Sequence, residues 1–324
     1  MTHRATATAS AAPVPTLFPV PAPVAQERPT GAYIAFTAIC LIWGTTFVGI
    51  RVAIETIPTL LVTSLRFLAA GLILLVIAAL TGARFPQRFV EWRDHIISGI
   101  LMVAMGNTLV VYAEHQLSSG FAALLSATIP IWMALMESFS GRSKMTRRRA
   151  IGLALGFGGV GLLVAPAIGR PDLSLPFFMA VGAMQLSAIA WNSGTLYSRR
   201  HPSSSDPMAN AVIQMLAGGA GVTLIALMTG THVTMAMFSV RSVLALLYLA
   251  VFGSVVAYTS YLYALTKLSA GKVSSYAYIN PLVAVFFGAI LLHEAVSLRM
   301  ILAMVVILAG VAVIQIDRKK EIAR

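Results

Sequence analysis

Long apolar stretches recur along the chain from residue 32 onward, each close to the length of a helix that crosses a membrane. Such a helix needs about 20 apolar residues to cross the hydrocarbon core of a bilayer. Ten stretches meet or approach this length. They are residues 32–50, 60–81, 95–115, 121–139, 148–165, 175–197, 208–229, 242–264, 273–292 and 297–316. We therefore predict an all-α polytopic membrane protein with ten transmembrane helices.

The composition argues against a soluble protein. Of the 324 residues, 58% are hydrophobic and 10% are charged, whereas a soluble domain has about 25% charged residues. The net charge of +12 would suggest nucleic acid binding in a soluble chain. Here the positive residues lie mainly between the apolar stretches, so the charge indicates membrane topology, and we expect no nucleic acid partner.

The positions of the lysines and arginines predict the orientation in the membrane. Cytoplasmic loops carry an excess of these residues. If the N-terminus is cytoplasmic, all but five of the 23 lysines and arginines fall in cytoplasmic segments. The five exceptions are Arg51, Arg66, Arg170, Arg241 and Arg299. We therefore expect both termini in the cytoplasm.

The two ends of the chain differ from its middle. Six prolines fall between residues 13 and 29, so residues 1–31 are predicted to form a disordered cytoplasmic tail. Residues 317–324 form a short basic cytoplasmic tail. The single cysteine, Cys40, excludes an intrachain disulfide and a cysteine metal site. We predict a small buried side chain there, and we expect no metal and no cofactor.

A short motif occurs twice at a fixed separation. Leu117–Gly120 reads LSSG, and residues 268–271 read LSAG, 151 positions later. A proline follows in the next stretch each time, as Pro130 and Pro281, again 151 apart. We therefore predict two repeats of five helices, at residues 32–166 and 175–316.

An odd number of helices forces the second repeat to enter the membrane from the opposite side. Inverted repeats are typical of secondary transporters that work by alternating access, with the substrate site between the repeats. A GxxxxGK[ST] nucleotide-binding motif is absent from the sequence. The repeats thus favour a secondary transporter over an ATP-driven pump.

Several segments resemble a known family. They are LIWGTTF at 41–47, LRFLAAG at 65–71, SYAYINP at 275–281 and Glu294. In these segments the chain resembles the drug/metabolite transporter superfamily, in its EamA-type ten-helix form, over about residues 32–316. Gly106-Asn107, AEHQ at 113–116 and GTLY at 194–197 further resemble YedA-type members. The resemblance implies a bacterial inner-membrane exporter of amino acids, related metabolites or drugs, with a central cavity between the repeats.

Polar and aromatic side chains at membrane depth are costly unless they face a cavity or a partner helix. We expect several to line the cavity, where rings and amides would suit a partly apolar zwitterion. These candidates are Trp43, Asn107, Trp191, Asn192, Tyr258, Tyr276 and Asn280. Packing between helices is the alternative role for each of them.

A second group of residues suggests gating or ion coupling. Glu114 and His115 are expected on the same helical face as Asn107, toward the outer end of the third span. They form either an outer ion pair, with Arg51 and Arg66 as partners for Glu114, or a proton-coupling pair. Pro130 and Pro281 each free a backbone carbonyl and kink the helix, as a functional bend or a static one.

Two further acidic residues and one glycine motif are expected to stabilise the structure. Glu137 is expected to pair with Arg142 or Lys144, and Glu294 to cap a helix at the interface. The G-x-x-x-G at Gly152 and the glycines after it favour close helix packing, within a monomer or in a homodimer.

Four functions remain to be compared. An exporter of small amino-acid-like metabolites leads, and an aromatic-cation multidrug exporter is the alternative. An antiporter of phosphorylated sugars would require a basic cluster, and we expect no Lys or Arg at mid-depth. An intramembrane enzyme would require catalytic groups that the sequence does not offer, since HExxH is absent. The expected partners are a small-molecule substrate and the lipid bilayer.

Overall fold

The protein forms ten long helices in the part of the chain that the structure describes. This computed structural model describes residues 30–140, 145–165, 175–231, 233–268, 270–273 and 275–322. We name the helices α1 to α10 in chain order. They are α1 Thr30–Ala53, α2 Thr59–Leu80, α3 Phe89–Ala113, α4 Ser119–Phe139, α5 Arg147–Val164, α6 Leu175–Arg200, α7 Pro207–Met228, α8 240–267, α9 Tyr276–Leu291 and α10 Leu298–Ile322.

Each of the ten predicted apolar stretches coincides with one of these helices, which confirms the all-α ten-helix prediction. Eight helices are long and apolar enough to span a membrane. The other two are α5, which begins with three arginines, and α9, which has 16 residues. The predicted N-terminal tail lies outside the described residues, apart from its last two positions.

The ends of corresponding helices show the internal repeat in the backbone. α2 and α7 each end at a Thr-Gly pair, with Gly82 at φ +68° and Gly230 at φ +66°. A left-handed glycine after the last turn satisfies the free carbonyls at a helix end. The two glycines lie 148 positions apart, so equivalent helices of the two repeats end with the same left-handed glycine.

Helix packing follows a pseudo-twofold symmetry. Equivalent helices pair with each other, α2 with α7 and α5 with α10. α1 packs against α8 and α9, and its equivalent α6 packs against α3 and α4 in the same way. The two five-helix repeats therefore interlock, and the space between them is bounded by both.

Glycines allow α5 and α10 to approach closely. A Cβ added at Gly310 would lie 2.7 Å from the backbone nitrogen of Gly156, and one at Gly159 would lie 2.6 Å from Ile307. Gly158 and Gly161 have nothing within 4 Å of an added Cβ. The glycine motif thus packs within the chain, through one face of α5 only.

Three of the helices are locally irregular. α3 contains a π-helical segment at Ile100–Asn107, and α8 contains one of equal length at Leu249–Val256, 149 positions later. α4 breaks between Ser126 and Ile129, directly before Pro130. Pro281 instead lies inside α9, which continues as one helix. π segments are frequent at functional sites, and these irregularities surround the cavity described next.

A candidate substrate cavity between the two repeats

A cavity of about 300 Å³ lies between the two repeats. Nine of the ten helices contribute to its wall. Its lining residues are Trp43, Thr46, Phe47, Ile50, Arg66, Phe67, Met102, Val103, Gly106, Asn107, Val110, Ser126, Ile129, Pro130, Ser187, Trp191, Ala211, Gln214, Met215, Gly253, Ser254, Tyr258, Tyr276, Ala277, Asn280 and Gln315. The wall runs from the middle of the helices to Gln315, near the C-terminal end of α10.

Aromatic rings form one side of the cavity. The Trp43 ring lies 4.7 Å from Tyr276 and 5.5 Å from Tyr261, centroid to centroid. Trp43 Nε1 donates a hydrogen bond to the carbonyl of Gly253, at 3.1 Å, in the π segment of α8. The structure therefore places the predicted residues Trp43, Tyr258 and Tyr276 on the wall, with Trp43 fixed by the irregular backbone of the opposite repeat.

Trp191 has an equivalent environment in the second repeat. It lines the cavity beside Gly106, whose added Cβ would lie 3.8 Å from the Trp191 ring. One turn earlier, Ser187 Oγ donates to the Gly106 carbonyl at 2.7 Å. α6 thus meets the π segment of α3 as α1 meets that of α8.

Two of the three predicted asparagines reach the cavity. Asn107 lines it and donates to the carbonyl of Met102, at 3.1 Å. Asn280 also lines it, and its amide, correctly oriented, donates to the carbonyls of Tyr276 and Cys40.

Asn192 does not line the cavity, contrary to the sequence prediction. Its side chain is fully buried and donates to the carbonyl of Ile129, at 2.8 Å, at the break in α4. Successive helical residues point about 100° apart. Asn192 therefore points away from the face that Trp191 presents to the cavity.

Arg66 lies on the cavity wall, so the expectation of no Lys or Arg at mid-depth is wrong. It is the eighth residue of α2, about 10 Å along the helix. The side chain is 6% exposed, and its guanidinium lies 4.8 Å from the Phe67 ring centroid. Its Nε donates to Ser254 Oγ at 3.0 Å.

Glu114 and His115 do not share a helical face, because α3 ends at Ala113. Glu114 is fully buried, whereas His115 is exposed and contacts Thr59 Oγ1 through Nε2, at 2.8 Å. The predicted Glu114 ion pairs are not formed. Arg51 donates to the backbone carbonyl of Glu114 instead. Within the described ranges, neither carboxylate oxygen of Glu114 has a hydrogen-bond partner.

Hydrogen bonds and ion pairs connect loops and helix ends at both ends of the helical bundle. Glu294 accepts hydrogen bonds from the start of α4, so it caps a helix of the other repeat. Glu137 pairs with Arg199 at 3.6 Å, whereas Arg142 and Lys144 lie outside the described residues. Hydrogen bonds from the backbone and guanidinium of Arg84 lower the pKa of Asp206 below its usual value.

Sequence analysis missed several polar residues of the cavity wall. Ser126, Gln214, Ser254 and Gln315 line the wall. Their polarity within apolar helices is the signal that could have identified them. In the described part of the chain, no group of three or more His, Cys, Asp or Glu residues could hold a metal ion.

The fold and the cavity between two repeats define a membrane transporter. A sequence model of the EamA-like transporter family matches residues 30–165 and again residues 178–316. The chain belongs to this family, within the drug/metabolite transporter superfamily.

Relatives and a solved structure are consistent with this assignment. The chain is 34% identical to "Uncharacterized inner membrane transporter YedA" of Escherichia coli K12, over 88% of this chain and 90% of YedA. It is 24% identical to "Uncharacterized transporter YvbV" of Bacillus subtilis, over 90% and 93% of the two chains. A solved crystal structure at 18% identity matches with a TM-score of 0.62, covering 89% of this chain and 98% of that one.

Proposed function

We propose that the protein is a secondary transporter of the bacterial inner membrane that exports small amino-acid-like metabolites. Transport proceeds by alternating access between the two inverted repeats, with both termini in the cytoplasm. The observation that carries the proposal is the cavity itself, since both repeats line it with aromatic rings, amides and one guanidinium.

The wall chemistry suits a zwitterion with an apolar part. Aromatic faces accept an apolar side chain and attract an ammonium group. Pro130 and Pro281 lack an N–H, so the carbonyls four residues earlier, of Ser126 and Ala277, lose their helical donor. Both residues line the cavity, 151 positions apart. Their carbonyls are candidate acceptors for a substrate ammonium.

The aromatic-cation exporter is less well supported. Among the described cavity residues there is no Asp or Glu, and Arg66 places a positive charge on the wall. A cationic drug would meet repulsion without a compensating carboxylate. Phosphorylated sugars are also disfavoured, because the described wall carries one cation and not a basic cluster.

A proton is the candidate coupling ion. Glu114 is fully buried, and its carboxylate has no hydrogen-bond partner among the described residues. A buried carboxyl group in that state is well placed to gain or lose a proton during transport. His115 is exposed and contacts Thr59, so Glu114 is the stronger candidate of the pair.

Efflux from proteoliposomes tests the proposal. Purified protein is reconstituted with a pooled panel of labelled amino acids, with and without an imposed pH gradient. We expect selective loss of a few amino acids, and a response to the gradient that Glu114→Gln removes. Flux of an aromatic cation without flux of any amino acid would replace the proposal with the multidrug exporter.

A further inference from the structure

Arg66 is a buried cation that makes no direct ion pair among the described residues, and Glu114 acts on it electrostatically only from beyond 4.0 Å. Among the described residues, no carboxylate oxygen lies within 4.0 Å of its guanidinium, and Nε to Ser254 is its one hydrogen bond. Burial of a charge that is neither paired nor fully hydrogen-bonded is costly. The two terminal NH2 groups therefore remain available as donors on the cavity wall.

The position of this guanidinium is fixed from two sides. Ser254 Oγ accepts from Arg66 Nε and donates to the carbonyl of Leu249, at 3.1 Å, within the π segment of α8. The ring of Phe67 lies beneath the guanidinium. Since Nε is occupied, the terminal NH2 groups are the part of the side chain left for a ligand.

The cation lies beside the aromatic part of the wall. A Cβ added at Gly253 would lie 3.4 Å from Arg66 Nη2, and the carbonyl of the same glycine accepts from Trp43 Nε1. The guanidinium and the Trp43 ring are thus separated by one residue of α8 with no side chain. A small ligand could contact both at once.

We propose that Arg66, held by Ser254, is the carboxylate subsite of the cavity and makes a free carboxylate a requirement for transport. This inference rests on the proposed function and narrows its substrate class to organic carboxylates with an adjacent apolar or aromatic part. Guanidinium binds a carboxylate through two parallel charge-assisted hydrogen bonds. A monoanion matches the single positive charge, whereas a phosphate monoester carries close to two negative charges.

Matched ligands test the subsite. Binding to the purified full-length protein is measured by the change in thermal unfolding midpoint. The probes are pooled amino acids, their primary amides, their decarboxylated amines and phenyl phosphate. We expect the acids to bind at least tenfold more tightly than the amides and amines, and more tightly than phenyl phosphate. Equal binding of acids and amides, or tighter binding of phenyl phosphate, overturns the carboxylate subsite.

Substitutions then test whether Arg66 causes the tighter binding of acids than of amides. Arg66→Gln should remove the acid-over-amide preference, and Arg66→Lys and Ser254→Ala should reduce it about threefold or more. Arg241→Gln is the matched control, because Arg241 pairs with Glu55 away from the cavity; it should keep the full preference. If Arg66→Gln does not fold, the other two variants decide, and an unchanged preference in both contradicts the proposal.

The outcomes separate this inference from the proposed function. Binding of acids and amides alike would leave an amino-acid-like exporter intact and remove the role of Arg66. A wild-type protein that binds none of the acids or amides would contradict the proposed function and, with it, the inference.

Discussion

The carboxylate of Glu294 caps the first turn of a helix that begins at Ser119, 175 residues earlier in the chain. Oε1 accepts from the Ser119 backbone nitrogen at 2.7 Å, and Oε2 accepts from Ser119 Oγ at 2.9 Å. A negative charge at a helix N-terminus is stabilised by the free N–H groups and the helix dipole. This contact joins the second repeat to the first, on the side opposite Gln315.

Loss of the Glu294 charge should destabilise the protein. We expect Glu294→Gln to lower the free energy of unfolding by about 1–2 kcal/mol, the upper part of what a charge at a helix terminus contributes when it is partly buried. Thermal unfolding in detergent measures the change. Glu55→Gln is the control, since Glu55 forms an exposed ion pair with Arg241 and should change stability less. Equal stability of Glu294→Gln and the wild type would remove the capping role.

Two neighbouring glycines of α5 should respond differently to a methyl group. Gly156 faces Ile131 and Gly310, so Gly156→Ala should cost about 1–3 kcal/mol through overpacking. Gly158 has open space around it, and Gly158→Ala should be neutral or stabilising because alanine favours a helix. The unfolding midpoints of the two variants, compared in one detergent, decide the matter. A similar loss in both would contradict the packing of only one face of α5 inside the protein.

The proposed orientation can be tested with a pair of cysteines. Met235 is 90% exposed in the segment before α8, and Met145 is 49% exposed before α5. In intact cells, a membrane-impermeant thiol reagent should label Met235→Cys directly and Met145→Cys only after permeabilisation. The natural Cys40 is buried and should stay unlabelled. The opposite pattern would invert the topology.

Trp191→Ala should weaken transport without loss of membrane insertion. Removal of an aromatic contact from a binding site costs about 0.5–1.5 kcal/mol, which corresponds to roughly 2- to 13-fold in affinity. The measurement is the initial efflux rate at subsaturating substrate, normalised to the amount of protein in the membrane. Trp92→Ala is the control, since Trp92 stacks on Phe85 away from the cavity. Unchanged efflux in Trp191→Ala would exclude Trp191 from the site.

The sequence predicted the helices well because membrane helices are defined by length and hydropathy, which are local properties. The two repeats were also visible, because recurrent motifs such as that at Leu117–Gly120 keep a nearly constant separation. The side-chain directions were harder to predict. Asn192 was assigned to the cavity and Arg66 to the outer end, and both assignments are wrong.

Helix ends and long-range contacts explain much of this difficulty. A spacing of seven keeps Asn107 and Glu114 on one face only within a continuous helix, and α3 ends at Ala113, before Glu114. The predicted stretch 60–81 and α2 agree to within one residue, so the place of Arg66 on the cavity wall was missed because it depends on packing against α8. The hydrogen bond between Ser254 and Arg66 could not be predicted from sequence, because the two residues lie 188 positions apart.

The central claim is that substrate passes through the cavity between the repeats, and blocking that cavity tests it most directly. Ser126 lines the wall, and Ser126→Cys is a conservative substitution. Gly158→Cys is the control, because Gly158 lies outside the cavity with open space around it. Both are made in a Cys40→Ala background, reconstituted, and treated with a membrane-permeant methanethiosulfonate. The account predicts that modification of Ser126→Cys stops amino-acid efflux, that reduction restores it, and that Gly158→Cys is unaffected. Full efflux from fully modified Ser126→Cys protein would contradict the account.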